Sequence, residues 1–202
     1  MKINKSTKIT GKNIILIPYK AHHVLRYHEW MKSEELQFLT ASEPLTLAEE
    51  YKMQESWCKD EDKCTFIILN KSLFEENSNE IDSMIGDTNL FFNNSENKNH
   101  AEMEVMIAET KDRNKGYGWE AIMLMLRYGI EKLNVKIFFV KISMYNEKSI
   151  NIFTKLGFKE ISRSEVFKEI TLEKEINNEW LDWIRSQTIE ATTDENYENN
   201  QS

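Results

Sequence analysis

The sequence predicts an α/β (α+β) domain built on a mixed sheet, and three observations lead to this class. Short apolar runs of strand length occur both as neighbouring pairs and on either side of helical segments. Neighbouring pairs favour antiparallel strands, whereas a strand–helix–strand unit favours a parallel pair. The chain has 202 residues, of which 40% are hydrophobic, and this is enough for one core of normal size. We therefore expect a single domain over residues 1–185 and a disordered, acidic, Asn-rich tail over residues 186–202.

The individual elements are predicted from apolar periodicity and from turn and capping residues. The predicted strands are Asn13–Tyr19, Lys63–Leu69, Ser83–Phe92, His100–Ala108, Val135–Ser143 and two stretches near 158–163 and 165–174. The predicted helices are His22–Met31, a segment from the capping box Thr46-Leu47-Ala48-Glu49 to about Cys58, Trp119–Leu133, Glu147–Leu156 and Asn177–Arg185. Polar residues predict a loop near 70–82 and a surface turn over Asn93–Asn99.

Composition narrows the classes of partner. The formal net charge of −8 argues against non-specific binding to nucleic acid. The two cysteines, Cys58 and Cys64, and the four histidines lack the spacing of metal ligands, so no metal site is expected. The first residues contain no apolar segment of a signal peptide, and no apolar run approaches the length of a membrane span. We expect a cytoplasmic protein that binds neither nucleic acid nor membrane.

The glycine-containing turn Arg113-Asn114-Lys115-Gly116-Tyr117-Gly118 lies between a predicted strand and a long predicted helix. The first N–H groups of that helix have no partner within the helix, and they lie at the positive end of its dipole. Two glycines allow close approach of a ligand to the backbone, and Arg113 and Lys115 add positive charge. The turn therefore predicts a binding site for phosphate or pyrophosphate.

Two common glycine-rich phosphate sites do not match this turn. A Walker loop places its lysine after the last glycine, whereas Lys115 precedes Gly116. The spacing of Gly116, Gly118 and Ala121 matches the dinucleotide fingerprint, but the glycines come too late after the strand, and the acidic residue expected after the next strand is missing near Val140–Ser143. A third pattern, R/Q-x-x-G-x-G/A, is satisfied by Arg113, Gly116 and Gly118.

This third pattern resembles that of the GNAT superfamily of acetyl-CoA-dependent N-acetyltransferases. A second motif of the superfamily follows in the correct order, with Asn146, Ser149, Phe153 and the pair Gly157-Phe158 at the expected spacing. The segments Tyr27–Tyr51, Lys63–Ile67 and Met103–Glu109 further resemble the eukaryotic N-acetyltransferase 9-like proteins, which belong near the ribosomal-protein N-terminal acetyltransferases. The resemblance covers about Met1 to Glu173.

The resemblance implies a GNAT fold, in which a mixed, mostly antiparallel sheet splays between its fourth and fifth strands, here His100–Ala108 and Val135–Ser143. Acetyl-CoA would place its pantetheine arm in this gap and its pyrophosphate on the glycine turn. By resemblance, the cofactor-binding residues are Met106, Ile107, Ala108, Arg113, Asn114, Lys115, Gly116, Tyr117, Gly118, Asn146, Ser149 and Phe153. From its position alone, Asn146 is also explained as a helix N-cap, and the two roles are compatible.

Acetyl transfer to an amine requires a base, because an ammonium has no lone pair. Period two places Glu102 and Glu104 on one face of the strand beside the turn, and Glu102 is positioned like the glutamate base of related enzymes. Ordinary solvent-facing carboxylates explain the two residues equally well. Many family members have a tyrosine acid where this chain has Phe153. Tyr145, Tyr128 or water would then supply the proton, or the thiolate leaves unassisted, since a thiol pKa is only about 8.5.

Two functions remain open from the sequence. The first is an N-acetyltransferase that acts on a primary amine of a protein or peptide by direct attack in a ternary complex. The second is a module that binds acyl-CoA or a protein partner, with microtubules or tubulin suggested by the resemblance alone, and that has weak or no catalysis. The acceptor is an N-terminal amine, a lysine or a small amine, and the variable loops that decide this carry no motif.

Overall fold

In the computed structural model, which describes residues 1–92 and 99–197, the described strands form one nine-stranded sheet with helices on both faces. The strands are β1 (Lys8–Thr10), β2 (Ile14–Pro18), β3 (Lys63–Asn70), β4 (Met84–Phe91), β5 (His100–Ile107), β6 (Ile137–Ser143), β7 (Lys159–Ser164), β8 (Glu169–Glu175) and β9 (Thr192–Asp194). The helices are α1 (Val24–Trp30), α2 (Glu34–Thr40), α3 (Leu47–Lys59), α4 (Lys71–Asn77), α5 (Glu80–Ser83), α6 (Tyr117–Leu133), α7 (Glu147–Lys155) and α8 (Asn178–Gln187). Among these described helices, none combines the length and the apolarity that a membrane span needs.

The sheet is antiparallel at every described pairing except one. Its order is β7-β8-β6-β5-β4-β3-β2-β1-β9, and β5 and β6 are the parallel neighbours. These two strands pair only at His100, Ala101 and Glu102 and then separate. The predicted fold class is confirmed: the sheet is mixed and mostly antiparallel, and it splays between the two strands that the resemblance indicated.

Two hydrophobic cores lie on opposite faces of the sheet. On one face α6 is buried along most of its length and packs on side chains such as Phe66, Leu90 and Phe138. On the other face α1 covers Ile17 and Ile67 with aromatic residues that include Tyr27 and Trp30. Since Met106 belongs to this second core, the period-two face of β5 that carries the predicted carboxylates is directed toward α1 and α3.

The structure confirms the capping box of α3 and corrects the prediction for residues 70–82. Thr46 and Glu49 exchange the two hydrogen bonds that define the box. The segment predicted as a loop forms α4 and α5, because Asn70 and Asn79 accept hydrogen bonds from the first turns of these helices. Strand β1 and helix α2 were not predicted. Of the predicted turn over Asn93–Asn99, residues 93–98 lie outside the described residues.

The prediction of a disordered tail is wrong for residues 186–197. Helix α8 continues to Gln187, and β9 pairs with β1 at the edge of the sheet. Tyr197 then fixes the segment, because its hydroxyl donates a hydrogen bond of 2.7 Å to Glu80 and its ring lies beneath the ammonium of Lys8. Backbone pairing and one buried anchor hold this acidic segment, and composition alone does not show such contacts. Residues 198–202 lie outside the described residues.

The anchor of Tyr197 belongs to a buried cluster that sequence spacing did not predict. His22, His23 and Glu80 place ligand-type atoms within 4.8 Å of one another. The Lys20 amide donates to Nδ1 of His23, so in the neutral ring the proton is on Nε2, which faces Glu80 at 3.0 Å. Burial disfavours the charged Glu80, but hydrogen bonds from His23, Tyr197 and His22 hold its pKa at about 2. The cluster is satisfied as a network of hydrogen bonds around one carboxylate.

Candidate active site

A groove of about 640 Å³ opens where β5 leaves β6. Its floor carries polar side chains of β4 and β5, and its walls include Tyr27 of α1, Trp57 of α3 and the end of α2. The side chains of the floor are Asp87, Asn89, Glu102, Glu104 and Met106. The groove therefore brings Glu102, Glu104 and Met106, all predicted as site residues, into one space with two polar residues that were not predicted.

Strand β4, which pairs with β5 on the side away from β6, is irregular near the end of the groove. The register of β3 against β4 shifts between Ile68 and Leu69. Gly86 of β4 is the residue that pairs with Ile68, directly at this shift. A Cβ at Gly86 would collide with the carbonyl oxygen of Met106. Only glycine permits this close approach of the two backbones, so Gly86 fixes the path of β5 along the groove.

The two glutamates predicted on β5 have different environments. Glu102 is buried and forms an ion pair of 3.0 Å with Lys141 of β6. Glu104 reaches the open groove, and in the described residues no cation lies within ion-pair distance of it. Glu104 is exposed at the opening of the groove, yet the surrounding walls partly desolvate its carboxylate, and Asp87 and Glu102 add negative charge. Together these effects raise the pKa of Glu104 to about 7.

Asp87 and Asn89 form a hydrogen-bonded chain beneath the groove. Asn89 Nδ2 donates to Asp87 Oδ2 at 2.8 Å, and Thr65 Oγ1 donates to Asn89 Oδ1 at 2.6 Å. Burial raises the pKa of Asp87 to about 6, although the bond from Asn89 and the charge of Lys63 oppose this shift. The sequence signal for this chain was present, since Asp87 and Asn89 are two residues apart, on one face of a strand that is otherwise mostly apolar.

The aromatic residues proposed around the leaving group lie in different places. Tyr145 is at the mouth of the groove, 64% exposed, with its ring 5.9 Å from that of Phe38 in α2. Phe153 lines the groove, is buried and packs edge-on against Phe158. Tyr128 is buried in the core on the opposite face, against Phe66, so the structure contradicts its role as a proton donor.

The predicted phosphate-binding turn has the backbone that such a site needs. Asn114 and Gly116 have φ values of 63° and 85°, in the left-handed region, and α6 begins directly after Gly116. The first N–H groups of this 17-residue helix have no partner within the helix. Gly118 lies against Ile107, the residue that follows Met106 of the groove floor. The helix start and the groove are therefore adjacent.

The cations of the turn differ from the prediction, because both are already engaged. Arg113 donates through Nε to the carbonyl oxygen of Ile107 at 2.9 Å and through a terminal nitrogen to Glu35 of α2 at 2.9 Å. Lys115 pairs at 2.9 Å with Asp112, which is buried. These side chains hold the turn against β5 and α2, so the backbone of Asn114–Gly118 is the part of the site that is free to bind an anion.

Two further residues predicted to contact the cofactor, Ala108 and Asn146, already form hydrogen bonds within the protein. The N–H of Ala108 donates to the carbonyl oxygen of Ile85 at 2.8 Å, which removes one of the backbone groups predicted to bind pantetheine. Asn146 is the N-cap of α7, since its side chain accepts a hydrogen bond of 3.1 Å from the Ser149 amide. Both Asn146 and Ser149 also line the groove, so the cap and a cofactor contact are compatible.

Comparison with known proteins identifies the class to which this fold and groove belong. Residues 13–159 match the family model described as "Acetyltransferase (GNAT) domain". Among solved structures, the chain is similar to a ribosomal L7/L12 alpha-N-protein acetyltransferase in complex with coenzyme A, with a TM-score of 0.68 and 12% identity over 84% of this chain and 98% of that chain. A spermidine N-acetyltransferase SpeG chimera from Vibrio cholerae and hSSAT gives a TM-score of 0.69 at 16% identity, covering 85% of this chain and 99% of the other.

Relatives of higher sequence identity show to which family within the GNAT acetyltransferases this chain belongs. An N-acetyltransferase 9-like protein of Nematostella vectensis is 55% identical over 88% of this chain and 90% of its own length. A mouse protein named alpha/beta-tubulin-N-acetyltransferase 9 is 49% identical over 93% of this chain and 79% of its own length. The chain belongs to the GNAT acetyltransferases, within the N-acetyltransferase 9-like family. It is an acetyl-CoA-dependent N-acetyltransferase.

The residues of this chain fit acetyl-CoA as the co-substrate. The open N-terminus of α6 suits a pyrophosphate, and within the described residues no atom other than those of Gly116 and its chain neighbours lies within 4 Å of the position of a Cβ at Gly116. The gap between β5 and β6 suits an extended chain with hydrogen-bonding groups, because the pairing of these two strands ends at Glu102 in the described part of the sheet.

Replacement of Gly116 by alanine tests the turn. Space is available for the new methyl group, so the expected effect comes from the left-handed φ of 85°, which costs an alanine about 1–2 kcal/mol. We expect acetyl-CoA to bind roughly tenfold more weakly, as measured by isothermal titration calorimetry. Gly118→Ala is measured in parallel, since Gly118 does not adopt positive φ and its Cβ would make an ordinary contact of 3.5 Å with Ile107, so weaker binding by that variant would come from reduced access of the ligand to the backbone and not from strain. Parental affinity in both variants would show that the turn does not hold the ligand.

Proposed function

We propose that this enzyme transfers the acetyl group of acetyl-CoA to a primary amine of a protein or peptide, with Glu104 as the general base. The observation that carries the proposal is the position of Glu104 in the groove beside the free edge of β5. The amine attacks the thioester carbon directly, its proton passes to Glu104, and CoA leaves as the thiolate. The pKa of about 7 suits a base that must accept and release a proton near neutral pH.

Glu104 fits this role better than Glu102, which the sequence analysis ranked first. Lys141 lies 3.0 Å from Glu102 and occupies one of its carboxylate oxygens. Glu104 carries its carboxyl in the open groove among carboxylates that increase its proton affinity. The same face of β5 therefore holds one glutamate fixed in an ion pair and one glutamate that we propose exchanges a proton.

The departing thiolate has two supports in this groove. By the family resemblance, we propose that a backbone N–H near Val105–Met106 polarises the thioester carbonyl, as an oxyanion hole does. Phe153 has no proton to give, and of the two described tyrosines that line the groove, Tyr27 and Tyr145, Tyr145 is next in sequence to Asn146. We propose Tyr145, or water that enters at its exposed position, as the proton source for the thiolate.

The acceptor is proposed as a polypeptide amine, and tubulin is the protein that the relatives suggest. The mouse, fruit-fly and human relatives named alpha/beta-tubulin-N-acetyltransferase 9 are 47–49% identical to this chain. The exposed rings of Phe38, Tyr145 and Phe167 line the groove and suit the side chains that follow a peptide's amino group.

The base assignment predicts a defined pH profile. The value of kcat/KM should rise with pH through about 7 and then level off, because only deprotonated Glu104 accepts the proton. We expect Glu104→Gln to lower kcat/KM about a hundredfold or more. The variant should also lose the rise of kcat/KM with pH near pH 7, which is called the limb of the profile below. Glu102→Gln should keep the limb with a smaller loss. An unchanged profile in the Glu104 variant would exclude Glu104 as the base.

Mass spectrometry of acetylated products tests the acceptor. Purified protein, acetyl-CoA and α/β-tubulin should yield acetyl groups on the amino-terminal amine, and matched peptides with a blocked amino terminus should not react. Acetylation confined to lysine side chains would keep a polypeptide acceptor but exclude the amino terminus, and acetylation confined to small amines would contradict the proposed acceptor, while Glu104→Gln serves as the catalytic control.

A further inference from the structure

A buried lysine lies beside the groove and has no part in the mechanism described above. Lys63 of β3 is 7% exposed, and its ammonium is 3.1 Å from the ring centroid of Trp57 and 4.2 Å from that of Phe91. Both rings line the groove. A charge buried between aromatic rings is costly, and methionine, of similar length, would fill the same space without that cost. The charge itself therefore calls for an explanation.

The register of the sheet places this charge close to the carboxylates. Lys63 pairs with Phe91, and Phe91 pairs with Glu102, while Thr65, Asn89 and Glu104 form the next row on the same face. Burial lowers the pKa of Lys63 to about 8, and the charges of Glu104, Asp60 and Asp87 oppose this shift. Conversely, Lys63 favours the ionised form of Glu104.

We propose that Lys63 is a positioning residue of the acetyl-transfer reaction, whose buried ammonium keeps the Glu104 carboxylate ionised near neutral pH. The inference rests on the proposed role of Glu104 as the base. It assigns Lys63 an electrostatic effect on the base and no contact with the substrate.

The groups that face Glu104 come from every strand around it. Asp87 of β4 and Glu102 of β5 raise its proton affinity, whereas Lys63 of β3 and Lys141 of β6 lower it. Lys141 is already paired with Glu102 at 3.0 Å. The neutral Tyr27 of α1 and Trp57 of α3 cover the groove, and the oppositely charged Lys168 and Glu169 line its far side. Lys63 is therefore the cation on the β3 side that offsets the charge of Asp87.

Replacing Lys63 by methionine tests the inference through the pH profile. We expect the limb near pH 7 to move up by about one unit, because an opposite charge has been removed. At pH 6, kcat/KM should fall roughly tenfold, and it should recover above pH 8. Lys63→Arg keeps the charge and stacks on the same rings, so it should restore the parental profile.

Asp87→Asn provides a second test with the opposite sign, and it remains informative if the methionine variant does not fold. Removal of this neighbouring negative charge should move the limb down, while Asn89 keeps an acceptor oxygen at position 87. The KM for acetyl-CoA should stay near the parental value in each folded variant, because neither side chain is proposed to contact the cofactor.

The outcomes separate the two proposals. If the limb disappears in Glu104→Gln but stays at the same pH in Lys63→Met and Asp87→Asn, the role of Lys63 is wrong and the base assignment stands. If the limb persists in Glu104→Gln, the base assignment itself fails. If Lys63→Arg behaves like Lys63→Met, the shape of lysine matters and its charge does not, which also overturns the inference.

Discussion

The separation of β5 from β6 after three paired residues is the constraint on which the site depends. Beyond Glu102, no described strand pairs with the β6 side of β5, so backbone groups there are open to a ligand in the groove. The bend is fixed from the other side, where Gly86 allows the Met106 carbonyl to approach β4. The same strand then runs into the turn that starts α6. Strand β5 thus connects the proposed acyl position with the helix start that is suited to bind an anion.

The two glutamates of β5 have different charged neighbours. Glu102 is neutralised by Lys141, whereas Glu104 lies among carboxylates that raise its proton affinity. The cofactor turn is linked to the acceptor side of the fold, because Arg113 contacts Glu35 of α2, and Glu109 accepts hydrogen bonds from Arg26 and Trp30 of α1. These contacts connect the turn before α6 to the helices α1 and α2 that lie over the groove.

Much of the fold and the location of the site were predictable, while the chemistry within the site was less so. Apolar periodicity gave seven strands and five helices, and the spacing of Arg113–Gly118 and Asn146–Phe158 indicated the family. Short elements such as β1 and β9 have no periodicity of their own and exist through pairing. The difference between Glu102 and Glu104 comes from Lys141, Asp87 and Lys63, which lie far apart in sequence and meet only through strand register.

The central claim is that the free edge of β5 holds the acyl group next to Glu104, and a bisubstrate conjugate tests it directly. In such a conjugate, a two-carbon acetyl unit joins CoA to an acceptor peptide. Its methylene carbon is bonded to the sulfur of CoA, and its carbonyl carbon is bonded to the amino-terminal nitrogen of the peptide. The crystal structure of the complex should place the linking amide between β5 and β6, with its nitrogen within direct or one-water hydrogen-bonding reach of the Glu104 carboxylate. A conjugate bound outside this gap, or one whose nitrogen contacts Glu102 and lies out of reach of Glu104, would contradict the account.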